Sequence, residues 1–251
     1  NTIVSVKGKG IIINEPSVVA VQRDRQGKDK ILAVGQEAKR MLGKTPINIQ
    51  AVRPMQDGVI ADFEMTERMI RYFIEKAHSR KSFIRPRIII CIPYGITQVE
   101  KRAVKEAAQS AGAREVHLIE EPMAAAIGIR LPVHDPVGNM IIDIGGGTTD
   151  IAVISLGGIV RSKNLKIAGD RFNSDIMSYI RSELKILIGE RTAERVKIEV
   201  GRVIPKPEPI EIAIRGRDLV TGLPKEVVIT DSDIREAIGV SIDTLLEASK
   251  E

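Results

Sequence analysis

The sequence predicts an α/β fold made of two related units, and three observations support this prediction. Short runs rich in Val and Ile alternate with longer stretches whose apolar residues recur at helical spacing. The same order of elements begins a second time at Asn139. Residues 1–6 also align with residues 148–153, with Thr and Val identical at the second and sixth positions, although so short a match also arises by chance. Such a duplication would place two glycine-containing hairpins face to face across a cleft where a nucleotide could sit.

The first unit opens with strands. Three β-rich runs, at residues 3–6, 10–13 and 18–21, are interpreted as a meander because short polar turns separate them. Residues 23–54 are more polar and contain a charged turn, so we expect an inserted small subdomain there.

Helices and strands then alternate. A strand is predicted at residues 87–92, a helix opened by a capping box of Thr97 and Glu100, a strand at 116–119 and a helix at 123–129. A further helix precedes them, because apolar residues keep helical spacing at Met69, Ile70, Phe73, Ile74 and Ala77.

The second unit repeats this order. Strands are predicted at residues 140–144, 151–155 and 159–168, and a helix runs from 170 or 172 to 188. Thr230 or Asp231 caps a last helix. The apolar positions of that helix are Ile234, Ile238, Ile242, Leu245 and Leu246.

Composition bounds the possible functions. A hydrophobic fraction of 43% over 251 residues is enough to bury a sizeable core. The net charge of +5 favours an anionic partner without choosing among nucleotide, acidic lipid and nucleic acid. Aromatic residues are only 3%, and the Lys and Arg residues are scattered among acids, so nucleic acid is not expected as a partner.

The sequence also predicts a compartment. Cys91 lies in an apolar run and is expected to be a buried thiol on a strand, and a single cysteine cannot form an internal disulfide. No stretch approaches the roughly 20 apolar residues that span a bilayer. We therefore expect a cytosolic protein. Since Asn1 leads straight into a strand and no stop signal follows the last helix, we also expect the natural chain to extend beyond both ends.

The strongest local signal is Asp-Ile-Gly-Gly-Gly-Thr-Thr-Asp at residues 143–150, between two apolar strands. Three glycines let the backbone bring N–H groups against phosphate oxygens, and Thr148 adds a hydroxyl donor. Asp143, at the end of its strand, can hold a phosphate-bound Mg²⁺ through water. The alternative is a plain hairpin whose glycines only turn the chain. The sequence contains neither a P-loop nor a strand-linked dinucleotide fingerprint.

Residues 143–150 resemble the second phosphate loop of the actin superfamily, which includes actin, the heat-shock chaperone ATPases and the sugar kinases. Four further blocks, spread over essentially the whole chain in family order, resemble the MreB family of bacterial actin-like proteins. They are Gly-Lys-Gly at 8–10 with Asn-Glu-Pro-Ser at 14–17, Arg-Pro-Met at 53–55 with Asp-Gly-Val-Ile-Ala-Asp at 57–62, Ile-Glu-Glu-Pro-Met-Ala-Ala-Ala at 119–126, and Ile-Gly-Glu-Arg-Thr-Ala-Glu at 188–194.

This resemblance implies an actin-like fold of two lobes, each built on a duplicated ribonuclease-H-like unit and truncated here at both ends. The core of lobe I would comprise residues 1–22 and 56–135, with its small subdomain at 23–55. The core of lobe II would comprise 136–171 and 236–251, with its small subdomain at 172–235. By the same resemblance, the first phosphate loop of the family precedes Asn1, and its adenine-side loop and closing helix follow Glu251.

The resemblance also assigns site residues. ATP or ADP with Mg²⁺ would lie on Asn1, Gly145, Gly146, Gly147 and Thr148, on Gly169 and Asp170, and on Glu194 and Lys197, with Asp143 serving the metal. Glu194 and Lys197 share one helical face because they are three residues apart, and the resemblance places that face against the adenosine. Without the resemblance, they would be an ordinary surface pair, and Asp170 would be an ordinary N-cap.

Glu121 is the residue expected to act in hydrolysis. It closes a strand and precedes Pro122, which suits the first turn of a helix. In the family the matching glutamate orients the water that attacks the γ-phosphate, and Thr148 is grouped with it as a catalytic residue. From the residues alone, Glu120 and Glu121 could equally be acids that favour a helix N-terminus.

Phe83 and Ile84 stand among four basic residues just before a strand. In MreB proteins the matching loop inserts into the inner leaflet of the membrane. Basic residues near anionic lipid and two buried apolar side chains would bind one protomer weakly and a filament by avidity. The alternative is that both residues begin the buried strand.

The predicted function is therefore that of an ATP-dependent cytoskeletal protein with weak ATPase activity. Its filaments are expected to be paired protofilaments on the inner membrane surface, where they organise membrane-bound cell-wall synthesis proteins and maintain rod shape. An ATPase of chaperone or sugar-kinase type is the alternative, but residues 53–62 do not look like a chaperone block, and no sugar pocket can be located.

Overall fold

The computed structural model describes residues 1–23, 29–56, 58–77 and 85–251. These residues divide into two compact units. The first consists of Asn1–Asn139 with Ile154–Ile159, and the second of Met140–Val153 with Val160–Glu251. Each unit contains both helices and strands, so the predicted α/β class is confirmed.

The elements are labelled in chain order. The helices are α1 (Gln36–Met41), α2 (Phe63–Ala77), α3 (Gln98–Ser110), α4 (Glu121–Gly128), α5 (Gly169–Glu183), α6 (Glu190–Val200) and α7 (Asp231–Lys250). The strands are β1 (Thr2–Val6), β2 (Gly10–Glu15), β3 (Val19–Arg23), β4 (Asp29–Val34), β5 (Ile49–Val52), β6 (Met55–Gln56), β7 (Val59–Ile60), β8 (Arg87–Ile92), β9 (Glu115–Glu120), β10 (Asn139–Ile144), β11 (Thr149–Ser155), β12 (Gly158–Leu165), β13 (Ile186–Leu187), β14 (Glu211–Asp218) and β15 (Pro224–Thr230).

The predicted opening meander is wrong in its third strand. β1 and β2 form an antiparallel pair, whereas β3 lies in a separate sheet of order β4-β3-β5. β3 gains ladder partners on both of its edges in this way, and Val19 and Ala20 are fully buried there. Its core contacts include Met69 and Phe73 of α2, so the predicted apolar face of that helix is confirmed.

A parallel pair, β8 and β9, carries α3 on one face. α3 begins at the predicted capping box, in which Thr97 and Glu100 exchange side-chain and backbone hydrogen bonds. The expectation of a buried Cys91 is wrong, because this cysteine is exposed. Side chains alternate along β8, so Ile88 and Ile90 pack toward α3 while Cys91 points to the other face.

β10, β11 and β12 form one sheet, and β13, β14 and β15, which lie in the second unit, form another. One apolar core joins α5, α6 and α7 to the second of these sheets, and it contains Ile176, Val196, Ile214, Ile229 and Ile234.

The helix predicted to reach residue 188 ends earlier, at Glu183. Lys185 has a left-handed φ of 56°, which a continuing α-helix cannot accommodate. The next two residues pair with Asp218 and Arg217 of β14. Gly216 permits this pairing, because a Cβ at that position would collide with Ile186 and with the Leu187 carbonyl oxygen.

Candidate functional site

The glycine loop joins β10 to β11 in the second unit. The Gly145 N–H donates to the Thr148 carbonyl oxygen at 2.9 Å, which closes a tight turn. In the part of the chain that the structure describes, the N–H groups of Gly146 and Gly147 donate to no other protein group. Gly146 is exposed, so its N–H is available to an oxyanion, whereas Thr148 is buried and fixes the end of the turn.

The start of α5 is hydrogen-bonded to this loop. The Gly169 N–H donates to the Gly145 carbonyl oxygen at 3.1 Å, and the Asp170 N–H donates to that of Gly146 at 2.7 Å. The N-cap residue is Ala168, so Asp170 lies in the first helical turn and does not cap the helix. The structure therefore brings together two predicted segments that are separated by more than 20 residues in the sequence.

Lys197 reaches the same place from α6. Its Nζ donates to the Gly169 carbonyl oxygen at 2.8 Å. A Cβ built on Gly169 would lie 3.3 Å from the Lys197 Nζ and 3.4 Å from the Gly145 carbonyl oxygen. The loop, the start of α5 and the α6 lysine thus meet around Gly169, where a Cβ would be tightly packed.

Glu194 lies one turn before Lys197 on α6 and is half-buried. It lines a cavity of about 750 Å³, together with Arg195 and Ile198 of α6 and Arg215 of β14. The spacing that predicted a shared face for Glu194 and Lys197 holds in the helix, and the hydrogen bond to Gly169 is made by Lys197.

Two further residues, Thr149 and Asn164, make hydrogen bonds next to the loop, and neither was predicted to have a role there. The Thr149 hydroxyl donates to the Ile167 carbonyl oxygen at 2.6 Å, and the Asn164 amide donates to an Asp150 carboxylate oxygen at 2.9 Å. Both contacts join β11 to the segment that leads into α5. The buried acid at the end of the loop motif was the available signal, because a buried carboxylate requires a polar partner.

Glu121, in the first unit, is the first residue of α4 and is half-buried. The N-cap residue is Glu120, whose backbone is extended, and Pro122 is buried in the first turn. The predicted strand-to-helix junction is therefore present. Asn1, also predicted as a site residue, is exposed, and its amide lies 3.4 Å from the Asn14 side-chain oxygen.

The residues around the loop fit a nucleotide phosphate with its metal. Free backbone N–H groups on a glycine turn suit phosphate oxygens. Mg²⁺ uses one or two protein carboxylates together with substrate phosphates, so the half-buried Asp143 at the end of β10 suits it without a dedicated cluster. Within the described ranges, no group of three or more His, Cys, Asp or Glu residues could hold a metal by itself.

The two predicted membrane residues, Phe83 and Ile84, lie outside the described residues. Among the helices that are described, none has the length and apolar character needed to cross a bilayer.

The chain matches the sequence profile of the MreB/Mbl protein family over residues 1–251. It is 52% identical to the cell shape-determining protein Mbl of Bacillus subtilis, covering 100% of this chain and 74% of that protein. It is 54% identical to the cell shape-determining protein MreB of Escherichia coli, covering 99% and 72%.

Solved structures show a similar fold. The structure of MreB5 of Spiroplasma citri bound to AMPPNP superposes with a TM-score of 0.89 at 38% identity, covering 98% of this chain and 73% of that one. A MamK double helical filament has a TM-score of 0.77 at 20% identity, covering 96% of this chain and 73% of that one, and shows a shared fold.

Proposed function

Because this chain belongs to the MreB/Mbl family, we propose that it is an ATP-binding, actin-like cytoskeletal protein. It assembles into filaments that organise cell-wall synthesis and maintain rod shape. The observation that carries the proposal is the junction of the glycine loop, the start of α5 and Lys197. It presents free N–H groups on a rigid turn, in a chain similar to a protein solved with AMPPNP.

In the second unit, the N–H groups of the loop and the Thr148 hydroxyl hold the phosphates of ATP or ADP. Gly169 and Asp170 support the loop from the start of α5, and Glu194 and Lys197 serve the adenosine. Asp143 holds Mg²⁺ through water, and the bound metal neutralises phosphate charge during phosphoryl transfer. These roles rest on the contacts of the loop and on the family resemblance.

Hydrolysis is assigned to Glu121, which orients the attacking water. Phosphoryl transfer requires little covalent chemistry from a protein, so a positioned carboxylate contributes mainly by placing the nucleophile. We therefore expect a weak ATPase activity. ATP binding favours assembly, and hydrolysis weakens the filament.

Sedimentation tests the assembly step. The protein is expected to pellet with ATP and Mg²⁺, and less with ADP. Glu121→Gln is expected to pellet with ATP while releasing phosphate at least tenfold more slowly than wild type. A chaperone or sugar kinase would stay in the supernatant under all these conditions, and that outcome would refute the filament proposal.

The domain boundaries predicted from the sequence are retained as part of the proposal. Residues 1–22 and 56–135 form the core of lobe I and 23–55 its small subdomain. Residues 136–171 and 236–251 form the core of lobe II, and 172–235 its small subdomain.

We also propose that the filaments lie on the inner face of the cell membrane through Phe83 and Ile84, where they meet membrane-bound cell-wall synthesis proteins. Liposome pelleting of the Phe83→Ser, Ile84→Ser double variant is expected to fall well below that of wild type. Two apolar side chains inserted into lipid would contribute a few kcal/mol to the free energy of membrane binding. Equal pelleting of the two proteins would contradict this location.

A further inference from the structure

Glu120 is the last residue of β9, and the adjacent Glu121 is the first residue of α4. Glu120 pairs in register with Ile92 of β8 and keeps an extended backbone, with φ −67° and ψ 134°. The alternation of side chains between the two faces of β9 therefore continues through Glu120. Val116 and Leu118, the preceding residues on the same face, pack in the cluster that contains Ala108 of α3.

The Glu120 carboxylate is held on that face by Lys101 of α3. The Lys101 Nζ lies 3.5 Å from a Glu120 carboxylate oxygen, and the two side chains are 28% and 35% exposed. Glu120 is the acid in the lining of a cavity of about 480 Å³. The cavity is also lined by three cations of α3, which are Lys101, Arg102 and Lys105.

The backbone of Lys101 is fixed by the start of α3. Its N–H donates to the Thr97 carbonyl oxygen at 2.9 Å, and Thr97 is the N-cap of the capping box. Arg102 is paired with Glu106 on the same helix. Lys105 has no ion pair within the described part of the chain. Of these three cations, Lys101 is therefore the one committed to Glu120.

We propose that Lys101 is a positioning residue for nucleotide hydrolysis and acts through Glu120. By holding Glu120 against α3, it fixes the junction of β9 and α4, where Glu121 is the next residue along the chain. The buried Pro122 restricts the backbone φ angle of the residue that follows Glu121. This inference rests on the proposed role of Glu121 in hydrolysis.

The size of the effect follows from the exposure of the pair. A partly exposed ion pair changes a conformational equilibrium by about two- to fivefold. Reversing one charge adds repulsion between like charges, so the larger end of that range applies to Lys101→Glu. Nucleotide affinity stays close to that of wild type, because neither Lys101 nor Glu120 belongs to the phosphate loop.

The test is a charge swap measured by steady-state ATP hydrolysis and by equilibrium ATP binding. Lys101→Glu is expected to lower kcat about fivefold with Kd changed less than twofold, and Lys101→Glu with Glu120→Lys is expected to restore kcat. The matched control is Lys105→Glu, one turn further along the same helix in the same cavity, which leaves kcat unchanged. Melting temperatures of all variants show whether each one folds.

Two results would overturn the inference: an unchanged kcat in Lys101→Glu, or no recovery in the swap. If Lys101→Glu does not fold, Lys101→Gln and its rescue by Lys101→Arg replace it, with the same expectations. The Glu121→Gln variant distinguishes a failure of the proposed role of Glu121 from a failure of the positioning role of Lys101. If that variant hydrolyses ATP at the wild-type rate, the role of Glu121 is wrong and the inference fails with it. If it does not hydrolyse ATP while Lys101→Glu is unaffected, only the positioning role fails.

Discussion

At the residue scale, the candidate site depends on a glycine, Gly169, at a position where other residues would carry a side chain. Gly169 lies where the Lys197 ammonium and the Gly145 carbonyl approach the α5 backbone, and a Cβ would come within 3.4 Å of both. The branched side chain of valine extends beyond Cβ, so it would crowd the Lys197 ammonium and the Gly145 carbonyl. We predict that Gly169→Val weakens ATP binding by about tenfold or more, or about 1.4 kcal/mol, in a titration of ATP.

Gly189 offers a matched control, because it also stands at a helix start and a Cβ there would meet no atom within 4 Å. Gly189→Val is expected to bind ATP nearly as wild type does. Equal losses in the two variants would show that the close packing around Gly169 is unimportant.

Tyr179 joins α5 to α7, since its hydroxyl lies 3.3 Å from an Asp233 carboxylate oxygen and 3.2 Å from one of Glu236. Burial, followed by the negative charges of these two acids, raises the pKa of Tyr179 to about 12. A raised folded-state pKa means that its stabilising contribution is complete below pH 10 and is lost as the pH rises toward 12.

We predict that the difference in tyrosinate absorbance between wild type and Tyr179→Phe titrates near pH 12. The wild type is also expected to lose stability relative to this variant between pH 10 and 12. A difference signal that titrates near pH 10 would mean that the hydroxyl is neither buried nor close to the two carboxylates.

Some residue-level properties could not be predicted from the sequence. Cys91 lies in an apolar run, yet it is exposed, because burial depends on which face of the strand is covered. Asn164 supports the loop through Asp150, and the contact depends on the pairing of strands, which local composition does not determine.

At the scale of elements, local chemistry determined helix starts well. Thr97 begins α3 with a complete capping box, and Thr230 does the same for α7. Such caps can be predicted from the sequence because the partners lie within three residues of each other. The end of α5 and the position of β3 were predicted wrongly, since both depend on pairing with distant strands, β14 in one case and β4 with β5 in the other.

The cap of α3 can be tested. We predict that Thr97→Ala lowers the free energy of unfolding by about 1 kcal/mol, because the Glu100 N–H loses its acceptor. Urea denaturation measures this change. Thr244→Ala is the control. Thr244 is exposed within α7, its one hydrogen bond among the described residues is to the Val240 carbonyl, and alanine is at least as good a helix former there. A loss as large for Thr244→Ala would contradict the capping account.

At the scale of the whole molecule, the α/β class was predicted correctly from the sequence, whereas the phosphate-binding role of residues 143–150 remains a prediction. The convergence of residues 145–146, 169–170 and 197 follows from the fold and is present in the second unit. The roles of Glu121 and Glu194, by contrast, come from resemblance to the family. An acid at a helix start or on a helix face has no chemical signature of its own, so these roles remain predictions.

The central claim is that residues 143–149 wrap the phosphates of ATP. A crystal structure of the protein with AMPPNP and Mg²⁺ tests this claim most directly. The account predicts phosphate oxygens within hydrogen-bond distance of the Gly146 and Gly147 N–H groups, with Asp143 facing the metal through water. A nucleotide bound elsewhere, or an empty loop at saturating AMPPNP, would contradict it.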